Sequence, residues 1–309
     1  MSTFESFGIS PDLKDTLAYL KLTTPTPIQE QTIPVALSGK DVIGLAQTGT
    51  GKTLAFGLPT ITRLLEDLGT IALVLAPTRE LAIQIQEALA KFIHGPTKFP
   101  TSVLVGGMPM NMQNRSLSLK PRLIIATPGR LMDHIEQGTV DPSKFRIVVL
   151  DEADRMLDIG FEKQLRKIFA RIPKDRQTLL FSATFPKSIE KLAMDFMSDP
   201  EKISVGHSKP AKKIDQKFIR TTQAQKNSLL LKELRETTGT VIIFARTKRR
   251  TDRLARTLNE EGFLAGKIHG DCTQGQRNRV MEDFRKKRVE ILVATDIAAR
   301  GIDVPHIEH

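Results

Sequence analysis

A glycine-rich loop is the part of this sequence whose residue types and spacing point most directly to chemistry. It follows an apolar run at 41–45 and reads, in order, Ala46, Gln47, Thr48, Gly49, Thr50, Gly51, Lys52 and Thr53. Glycines let backbone N–H groups wrap around phosphates at a helix N-terminus, where Lys52 can meet the β and γ phosphates and the Thr53 hydroxyl can bind Mg²⁺. The usual pattern begins with glycine in place of Ala46, so the match depends on the glycines, Lys52 and Thr53. The loop predicts a nucleoside triphosphate site, and a ligand-free Gly-Lys-Thr turn is the alternative.

Two carboxylates directly follow a second apolar run, at 147–150. Ligands of open α/β sheets bind at the carboxyl ends of the strands, which is where Asp151 and Glu152 would lie. Asp151 is suited to hold Mg²⁺, directly or through water, and Glu152 to orient and deprotonate an attacking water. The alternative is an ordinary acidic helix start. Together with the upstream loop, the carboxylates predict hydrolysis of a nucleoside triphosphate.

The elements that must position these residues are short β-branched runs separated by amphipathic segments. Such runs are typical of strands buried on both faces of a parallel α/β sheet. They occur at 41–45, 71–76, 102–105, 123–126, 147–150, 178–181 and 202–205, and again at 217–220, 241–245, 266–269 and 290–294. Helices are predicted at 187–196, 247–260 and 276–286.

A polar, basic stretch at 206–213 separates the two sets of strands and contains a proline and a glycine. This composition is typical of a linker between domains. We therefore divide the chain into an N-terminal segment at 1–30, a first domain at 31–205, the linker, and a second domain at 214–309.

Composition bounds the class of protein. The 309 residues are 40% hydrophobic and 26% charged, with a net charge of +11, which favours a polyanionic partner such as nucleic acid. The one cysteine, Cys272, cannot form an internal disulfide, and no apolar run approaches the length of a membrane span. We expect a cytoplasmic protein that does not interact with membranes.

The motifs, taken in order, resemble those of the DEAD-box RNA helicase family, and the resemblance covers almost the whole chain. Residues 22–29, Leu-Thr-Thr-Pro-Thr-Pro-Ile-Gln, resemble its adenine-reading Q motif. The resemblance implies that Gln29 hydrogen-bonds the base and Phe4 stacks on it, with Phe7 as the other ring that could stack. An amide offers a donor and an acceptor to the adenine edge, so ATP is favoured over GTP. The implied fold is α/β, with two RecA-like parallel-sheet domains in tandem.

Further blocks in the family's order imply contacts with the backbone of a single RNA strand. In the first domain these are Pro77, Thr78, Arg79, Gly106, Gly107, Thr127, Pro128, Gly129 and Arg130, with Ser182 and Thr184 linking the acidic motif to that surface. In the second domain they are Arg246, Gln274, Arg277, Thr295 and Asp296, while Asp303 contacts the nucleotide. Hydroxyl, backbone N–H and guanidinium groups bind phosphate without reading sequence.

The family's second domain ends with a His-Arg-x-Gly-Arg block that does not occur in residues 1–309. Its arginines stabilise the γ-phosphate, and an arginine finger is worth roughly 10³ to 10⁵ in rate. We therefore expect an incomplete second domain and slow ATP turnover, with Arg300 as the nearest substitute.

Three functions follow as hypotheses. The leading one is a monomeric ATP-dependent RNA helicase with ATP and Mg²⁺ as cofactors, in which ATP and RNA close a cleft and separate short duplexes. The second is a module that binds ATP and RNA but hydrolyses ATP weakly. The third is a DNA-directed helicase of the same superfamily.

Overall fold

The computed structural model describes residues 3–205, 215, 217–295 and 307. The chain divides into two compact units, Met1–Lys209 and Pro210–His309. The division falls within the stretch at 206–213, whose own structure lies outside the described residues. The positions of the linker and domain boundaries remain predictions.

The first unit is built on a seven-stranded parallel sheet with the order β3-β4-β2-β5-β6-β1-β7. Its strands are β1 Val42–Leu45, β2 Ile71–Leu75, β3 Thr101–Leu104, β4 Leu123–Ala126, β5 Phe145–Leu150, β6 Gln177–Ser182 and β7 Glu201–Ser204. Every residue of β4 and β6 is buried, as the apolar runs predicted for strands covered on both faces. All carboxyl ends lie at one edge of the sheet because all pairs are parallel.

Helices cover both faces of this sheet. They are α1 Pro11–Tyr19, α2 Pro27–Leu37, α3 Lys52–Glu66, α4 Arg79–Ala90, α5 Met110–Leu117, α6 Pro128–Glu136, α7 Ala153–Asp158, α8 Glu162–Phe169 and α9 Lys187–Phe196. Neighbouring residues of one strand point to opposite faces, so Val148 and Val149 belong to different hydrophobic cores. Each core fixes one layer of helices, and thereby the loops between strands and helices.

The N-terminal segment packs into the first of these cores. Phe4, Phe7, Leu13 and Leu17 are buried together with residues of α2 and α3. Each fully buried side chain of this kind contributes about 1.5–3 kcal/mol. The segment that carries the Q motif is therefore structurally part of the first unit.

The second unit has a described sheet of three parallel strands in the order β8-β10-β9. The strands are β8 Val241–Phe244, β9 Ala265–Ile268 and β10 Ile291–Ala294, and the helices are α10 Lys226–Glu236, α11 Lys248–Glu260 and α12 Gln274–Arg285. Both units are thus α/β with parallel sheets, and the small second sheet agrees with the incomplete domain expected from the sequence.

One predicted strand is wrong. Residues 217–220 are not part of a strand, and the Phe218 side chain is 91% exposed. The local alternation suits a strand, but a strand forms only where a neighbouring segment pairs with its backbone groups.

By contrast, the helix predicted at 187–196 is confirmed as α9. No helix in the described ranges is long and apolar enough to cross a membrane.

Candidate nucleotide site and nucleic-acid interface

The strand order of the first unit divides the predicted site residues into two neighbouring groups. Apart from Phe4 and Gln29, which precede β1, the predicted nucleotide residues of this unit lie at the ends of β1, β5 and β6, which are adjacent in the sheet. The predicted RNA residues follow β2, β3 and β4, which form the other half of the same edge. The fold therefore gathers motifs that are far apart in the sequence along one line of loops.

The phosphate loop connects β1 to α3. Gly51 is the residue before α3 and has φ +89°, a left-handed conformation that glycine adopts without steric cost. Lys52 is buried, and its Nζ donates a hydrogen bond to the Ala46 carbonyl at 3.0 Å. Gln47, Thr48 and the loop glycine between Thr48 and Thr50 are exposed, so this part of the loop is open to a ligand.

Gln29 joins the Q segment to this loop. Its Oε1 accepts from the Thr26 backbone N–H at 2.9 Å, and its Nε2 donates to the Gly51 carbonyl at 3.0 Å. Gln29 is only 4% exposed, and a side chain at Gly51 would overlap its amide. The structure thus assigns Gln29 a loop-bracing contact that the sequence did not reveal, beside its predicted contact with adenine.

Phe4 is predicted to stack on the base, but its ring is buried at 4% exposure. It packs edge-on against Phe7, with the ring centroids 5.9 Å apart. Phe7 is also buried, so neither ring is presented at the surface. The assignment of the stacking ring stays a prediction.

Asp151 lies at the end of β5 and is 2% exposed. Burial raises the pKa of its carboxyl to about 6; the nearby Lys52 ammonium opposes this shift, and Glu152 adds to it. Because it is desolvated, the charged form of the Asp151 carboxylate would be strongly stabilised by a bound cation. The influence of Lys52 on this pKa also shows that the loop and the acidic motif form one electrostatic unit.

Glu152 has an unusual backbone conformation for its residue type. Its φ is +52° in the left-handed region, at the position before α7. Such a conformation costs about 1–2 kcal/mol in a residue with a side chain and is common at functional sites. The carboxylate is held by an ion pair with Arg155 at 2.5 Å, and both side chains are nearly buried. The backbone turn and the ion pair together fix the direction of the Glu152 carboxylate.

Asp154 is a site residue that the sequence analysis did not select. Its backbone N–H donates to the Ser182 Oγ at 3.3 Å, and its Oδ2 accepts from the Thr184 N–H at 3.0 Å and from the Thr184 Oγ1 at 2.8 Å. The end of β6 is thereby tied to the acidic motif after β5. The signal was present as the fourth residue of the Asp-Glu-Ala-Asp block.

Arg79 and the glycine pair after β3 form the centre of the predicted RNA surface. The Arg79 guanidinium covers the two glycines, since a Cβ at Gly106 would lie 3.2 Å from its Nη2 and a Cβ at Gly107 would overlap it. Gly107 also has φ +79°, which favours glycine. This contact brings together Arg79 and a glycine pair that begins 27 positions later in the sequence.

The loop after Gly107 is held by two side chains on neighbouring helices. Arg130 Nη1 donates to the Met108 carbonyl at 3.1 Å. Gln113, from α5, accepts from the Val105 N–H at 3.1 Å and donates to the carbonyls of Val105 at 3.2 Å and Met108 at 3.0 Å. Gln113 was not predicted, because a lone glutamine in an amphipathic helix carries no motif.

A buried histidine supports this arrangement. His134 Nε2 lies 3.4 Å from Gln113 Oε1, and its Nδ1 lies 2.8 Å from the Thr139 hydroxyl. Burial lowers the pKa of His134, and the nearby Arg130 lowers it further while Asp133 opposes the shift. Neutral His134 thus helps to position the Gln113 amide, which holds the loop after Gly107.

The remaining predicted RNA residues of this unit lie at helix starts on the same edge. Thr78 precedes α4, and its hydroxyl accepts from the Leu81 N–H at 3.3 Å. Thr127 precedes α6, with Pro128 in its first turn and no neighbouring atom within 4 Å of a Cβ at Gly129. Helix N-termini present free N–H groups that suit phosphate oxygens.

Comparison with known proteins agrees with this geometry. The DEAD/DEAH box helicase family model matches residues 26–192, and the helicase conserved C-terminal domain matches residues 225–309. The chain belongs to the DEAD-box RNA helicase family. It is 42% identical over 312 residues to the DEAD-box ATP-dependent RNA helicase CshA of Geobacillus kaustophilus, covering 100% of this chain and 67% of the relative. It is 43% identical over 310 residues to CshA of Bacillus subtilis, covering 99% of this chain and 63% of the relative.

Solved DEAD-box structures share the fold. Dbp5 of S. cerevisiae bound to RNA and ADP BeF₃ matches with a TM-score of 0.85 at 31% identity, covering 99% of this chain and 79% of that one. A DEAD box protein of Methanococcus jannaschii matches with a TM-score of 0.62 at 35% identity, covering 98% and 82%. Both confirm the tandem α/β architecture that the motifs implied.

The DEAD-box residues of the second unit are only partly described. Arg246 is exposed after β8, Thr295 follows β10 with its N–H donating to the Ile268 carbonyl at 3.1 Å, and Arg277 lies in the first turn of α12. Gln274 begins α12. Asp296, Arg300 and Asp303 lie outside the described residues.

The donor set of the first unit fits a magnesium nucleotide. Thr53 and Asp151 supply a hydroxyl and a carboxylate, and Mg²⁺ is usually held by one or two such oxygens together with substrate phosphates. Within the described residues there is no group of three His, Cys, Asp or Glu side chains that could hold a metal alone. A metal bound mainly through phosphates is therefore the arrangement that this site fits.

Proposed function

We propose that this chain is an ATP-dependent RNA helicase that holds one RNA strand by its backbone and couples ATP hydrolysis to local duplex separation or remodelling of RNA–protein complexes. The observation that carries the proposal is the set of hydrogen bonds in which Asp154 donates to Ser182 and accepts from Thr184. These bonds tie the acidic motif to the end of β6, the strand adjacent to the phosphate loop. Further support comes from relatives named as RNA helicases and from Dbp5 bound to RNA and ADP BeF₃.

The phosphate loop binds ATP in this proposal. Lys52 exchanges the Ala46 carbonyl, its present partner at 3.0 Å, for phosphate oxygens. Thr53 and Asp151 would hold Mg²⁺, which when bound neutralises charge on the β and γ phosphates. Glu152 orients the attacking water and accepts its proton, with Arg155 fixing the carboxylate.

The RNA strand binds along the ends of β2, β3 and β4. Arg79, Gly106 and Gly107 form one patch of phosphate donors, and Thr127 and Arg130 extend it. These groups carry no base-reading pattern, so little sequence preference is expected. We further propose that the protein acts as a monomer in the cytoplasm.

The test is ATP turnover with and without single-stranded RNA, in the unmodified chain and in Glu152→Gln. RNA is expected to raise turnover, and the variant to lose about 10²–10⁴ in rate while keeping its ATP affinity. Glu162→Gln is the matched control, because it breaks another Glu–Arg ion pair on a helix away from the site. Turnover that does not change with RNA in a chain extended through the His-Arg-x-Gly-Arg block, or turnover that is equal in both variants, would exclude this function. Competition between matched RNA and DNA strands at one salt concentration tests the DNA-directed alternative.

A further inference from the structure

The second unit contains a cavity that none of the predicted site residues lines. Its volume is about 300 Å³, and it lies between the start of α10 and the face of α11. We call it the arginine groove. It is lined chiefly by Gln223, Asn227, Thr247, Arg249, Arg250 and Arg253.

The groove carries positive charge that no carboxylate of the described chain pairs with. Among the residues that the structure describes, Arg249, Arg250 and Arg253 form no ion pair. Other cations nearby are paired: Lys248 with Asp271, and Lys267 with Asp252. Three guanidinium groups turned toward one cavity repel each other, and a bound anion removes that repulsion.

The groove is continuous with the predicted RNA contacts of its own unit. Thr247 lines the groove and directly follows Arg246. The Ala245 N–H donates to the Ala294 carbonyl at 2.8 Å, which places the residues after β8 and β10 at one edge of the sheet. Arg246, Thr295 and the mouth of the groove therefore lie on the same edge.

The lining suits a phosphodiester strand. Guanidinium groups bind phosphates, while the Gln223 and Asn227 amides and the Thr247 hydroxyl can bind phosphate or ribose oxygens. The lining of α11 runs from Thr247 to Thr257, about 15 Å of helix, which is room for about two to four phosphates. The surroundings are also basic: residues 210–309 hold 21 of the 46 Lys and Arg but 13 of the 35 Asp and Glu, which is +8 of the net +11.

We propose that the arginine groove binds phosphates of RNA that continues beyond the segment held by Arg246 and Thr295. The groove would lengthen the RNA footprint on the second unit and favour substrates with a flanking strand. This inference rests on the proposed function, because it needs an RNA already held at the edge of β8 and β10. It adds a contact surface that the family motifs do not include.

The experiment measures RNA affinity in an oligonucleotide series extended one nucleotide at a time, in three proteins. They are the unmodified chain, Arg250→Gln/Arg253→Gln, and the control Arg256→Gln/Lys232→Gln. The control removes the same charge from exposed positions of α11 and α10 that do not line the groove. Because none of the four positions is buried, each variant is expected to fold.

We expect the groove variant to lose the affinity gained by extension, about fivefold or more at low salt, and the control to change less than about twofold. For the long RNA, the slope of log affinity against log salt should fall by about 0.7 for each phosphate that the groove no longer binds. The shortest RNA that binds should bind equally to all three proteins. Cross-linking of 4-thiouridine in the extension to a peptide containing residues 247–257 would place the strand directly.

The remaining outcomes separate this inference from the function on which it depends. If RNA binds the unmodified chain but extension adds no affinity, or if both variants lose it equally, the groove is not an RNA site. If the affinity of the groove variant still rises with RNA length, the groove is not an RNA site. An acidic protein partner would then be the ligand to test for these arginines. If the unmodified chain binds no RNA, the inference and the proposed function both fail.

Discussion

The two units hold their predicted site residues in different ways. In the first unit, the motifs hold one another: Gln29 contacts Gly51, and Asp154 contacts Ser182 and Thr184. In the second unit, Arg246 precedes α11 and is exposed, and Arg249 and Arg253 on α11 are exposed with no ion pair to a described residue. Hydrolysis of a phosphate ester requires catalytic groups that are fixed before the substrate binds. A binding site for a flexible polyanion can instead adjust to its ligand.

The units also differ in how they use charge. The first unit buries Lys52, Asp151 and Glu152 together; Lys52 offsets part of the charge of Asp151, and Arg155 pairs with Glu152. The second unit carries +8 of the net charge of +11 of the chain. If this comparison is right, substitutions in the first unit change stability, pH dependence, turnover or the affinity for ATP or RNA, while those in the groove change only RNA affinity and its salt dependence.

The largest expected effect concerns the buried charge of Asp151. Its pKa is about 6 in the folded protein, against an ordinary value of 3.8 for an exposed carboxyl, so the folded state binds more protons than the unfolded state between those values. The free energy of unfolding contributed by this group therefore falls as pH rises from about 4 to about 6. Above pH 6 the charged Asp151 lowers the free energy of unfolding by about 3 kcal/mol, since each pKa unit corresponds to about 1.4 kcal/mol.

Asp151→Asn should remove this cost. The variant should match the unmodified protein near pH 4 and exceed it by up to about 3 kcal/mol above pH 6, measured by hydrogen exchange of the β5 and β6 amides. Magnesium–ATP affinity should rise through pH 6 in the unmodified protein and be weak at every pH in the variant. If the difference in stability between the variant and the unmodified protein does not depend on pH, the charge of Asp151 does not destabilise the folded state.

The second prediction tests the link between the acidic motif and β6. Thr184→Val removes the hydroxyl that donates to Asp154 Oδ2 at 2.8 Å, while the backbone N–H contact can persist. RNA stimulation of ATP turnover should fall by about tenfold to a hundredfold, because a hydrogen bond to a charged group is worth about 1.5–3 kcal/mol. Thr184→Ser keeps the hydroxyl and should retain most of the stimulation. Equal loss in both variants would contradict a role for this bond.

Sequence reasoning predicted the place in the fold of those candidate site residues that are local in the chain. Asp151 directly follows an apolar strand, and Lys52 is separated from one by a single loop. Their spacing from the strands was therefore enough to predict where they lie. The strands themselves were found because runs such as 123–126 are buried on both faces. Local pattern was misleading at 217–220, where the pairing partner, and not the residue types, decides whether a strand exists.

What could not be predicted depends on the order of strands across the sheet. Gln113 and Arg130 hold one loop because α5 and α6 follow adjacent strands β3 and β4. The contact between Asp154 and Thr184 likewise requires β5 beside β6. A linear sequence does not state which loops become neighbours, so such supporting residues carry no motif of their own.

The third prediction concerns one of these supporting residues. Gln113→Ala removes three hydrogen bonds to the backbone on either side of the glycine pair and leaves a cavity at a 2% exposed position. RNA affinity should fall by about tenfold, and ATP affinity should be unchanged, because the affected loop belongs to the RNA half of the edge. Asn111→Ala, at an exposed position of the same helix, is the control. Loss of ATP affinity in Gln113→Ala would mean that the two halves of the edge are not separable.

The smallest effect is expected where the Q segment braces the phosphate loop. Gln29→Glu replaces the Nε2 donor facing the Gly51 carbonyl by a carboxylate oxygen, so attraction becomes repulsion at a distance of 3.0 Å. The loop should shift and ATP affinity should fall by about fivefold, a loss near that of one hydrogen bond. Gln31→Glu makes the same chemical change at an exposed position of the same helix and should leave the affinity unchanged. Measuring inorganic triphosphate as well as ATP sharpens the test, because triphosphate carries no base. If only ATP binding weakens, Gln29 acts through adenine, and if both weaken, it acts through the loop that it braces.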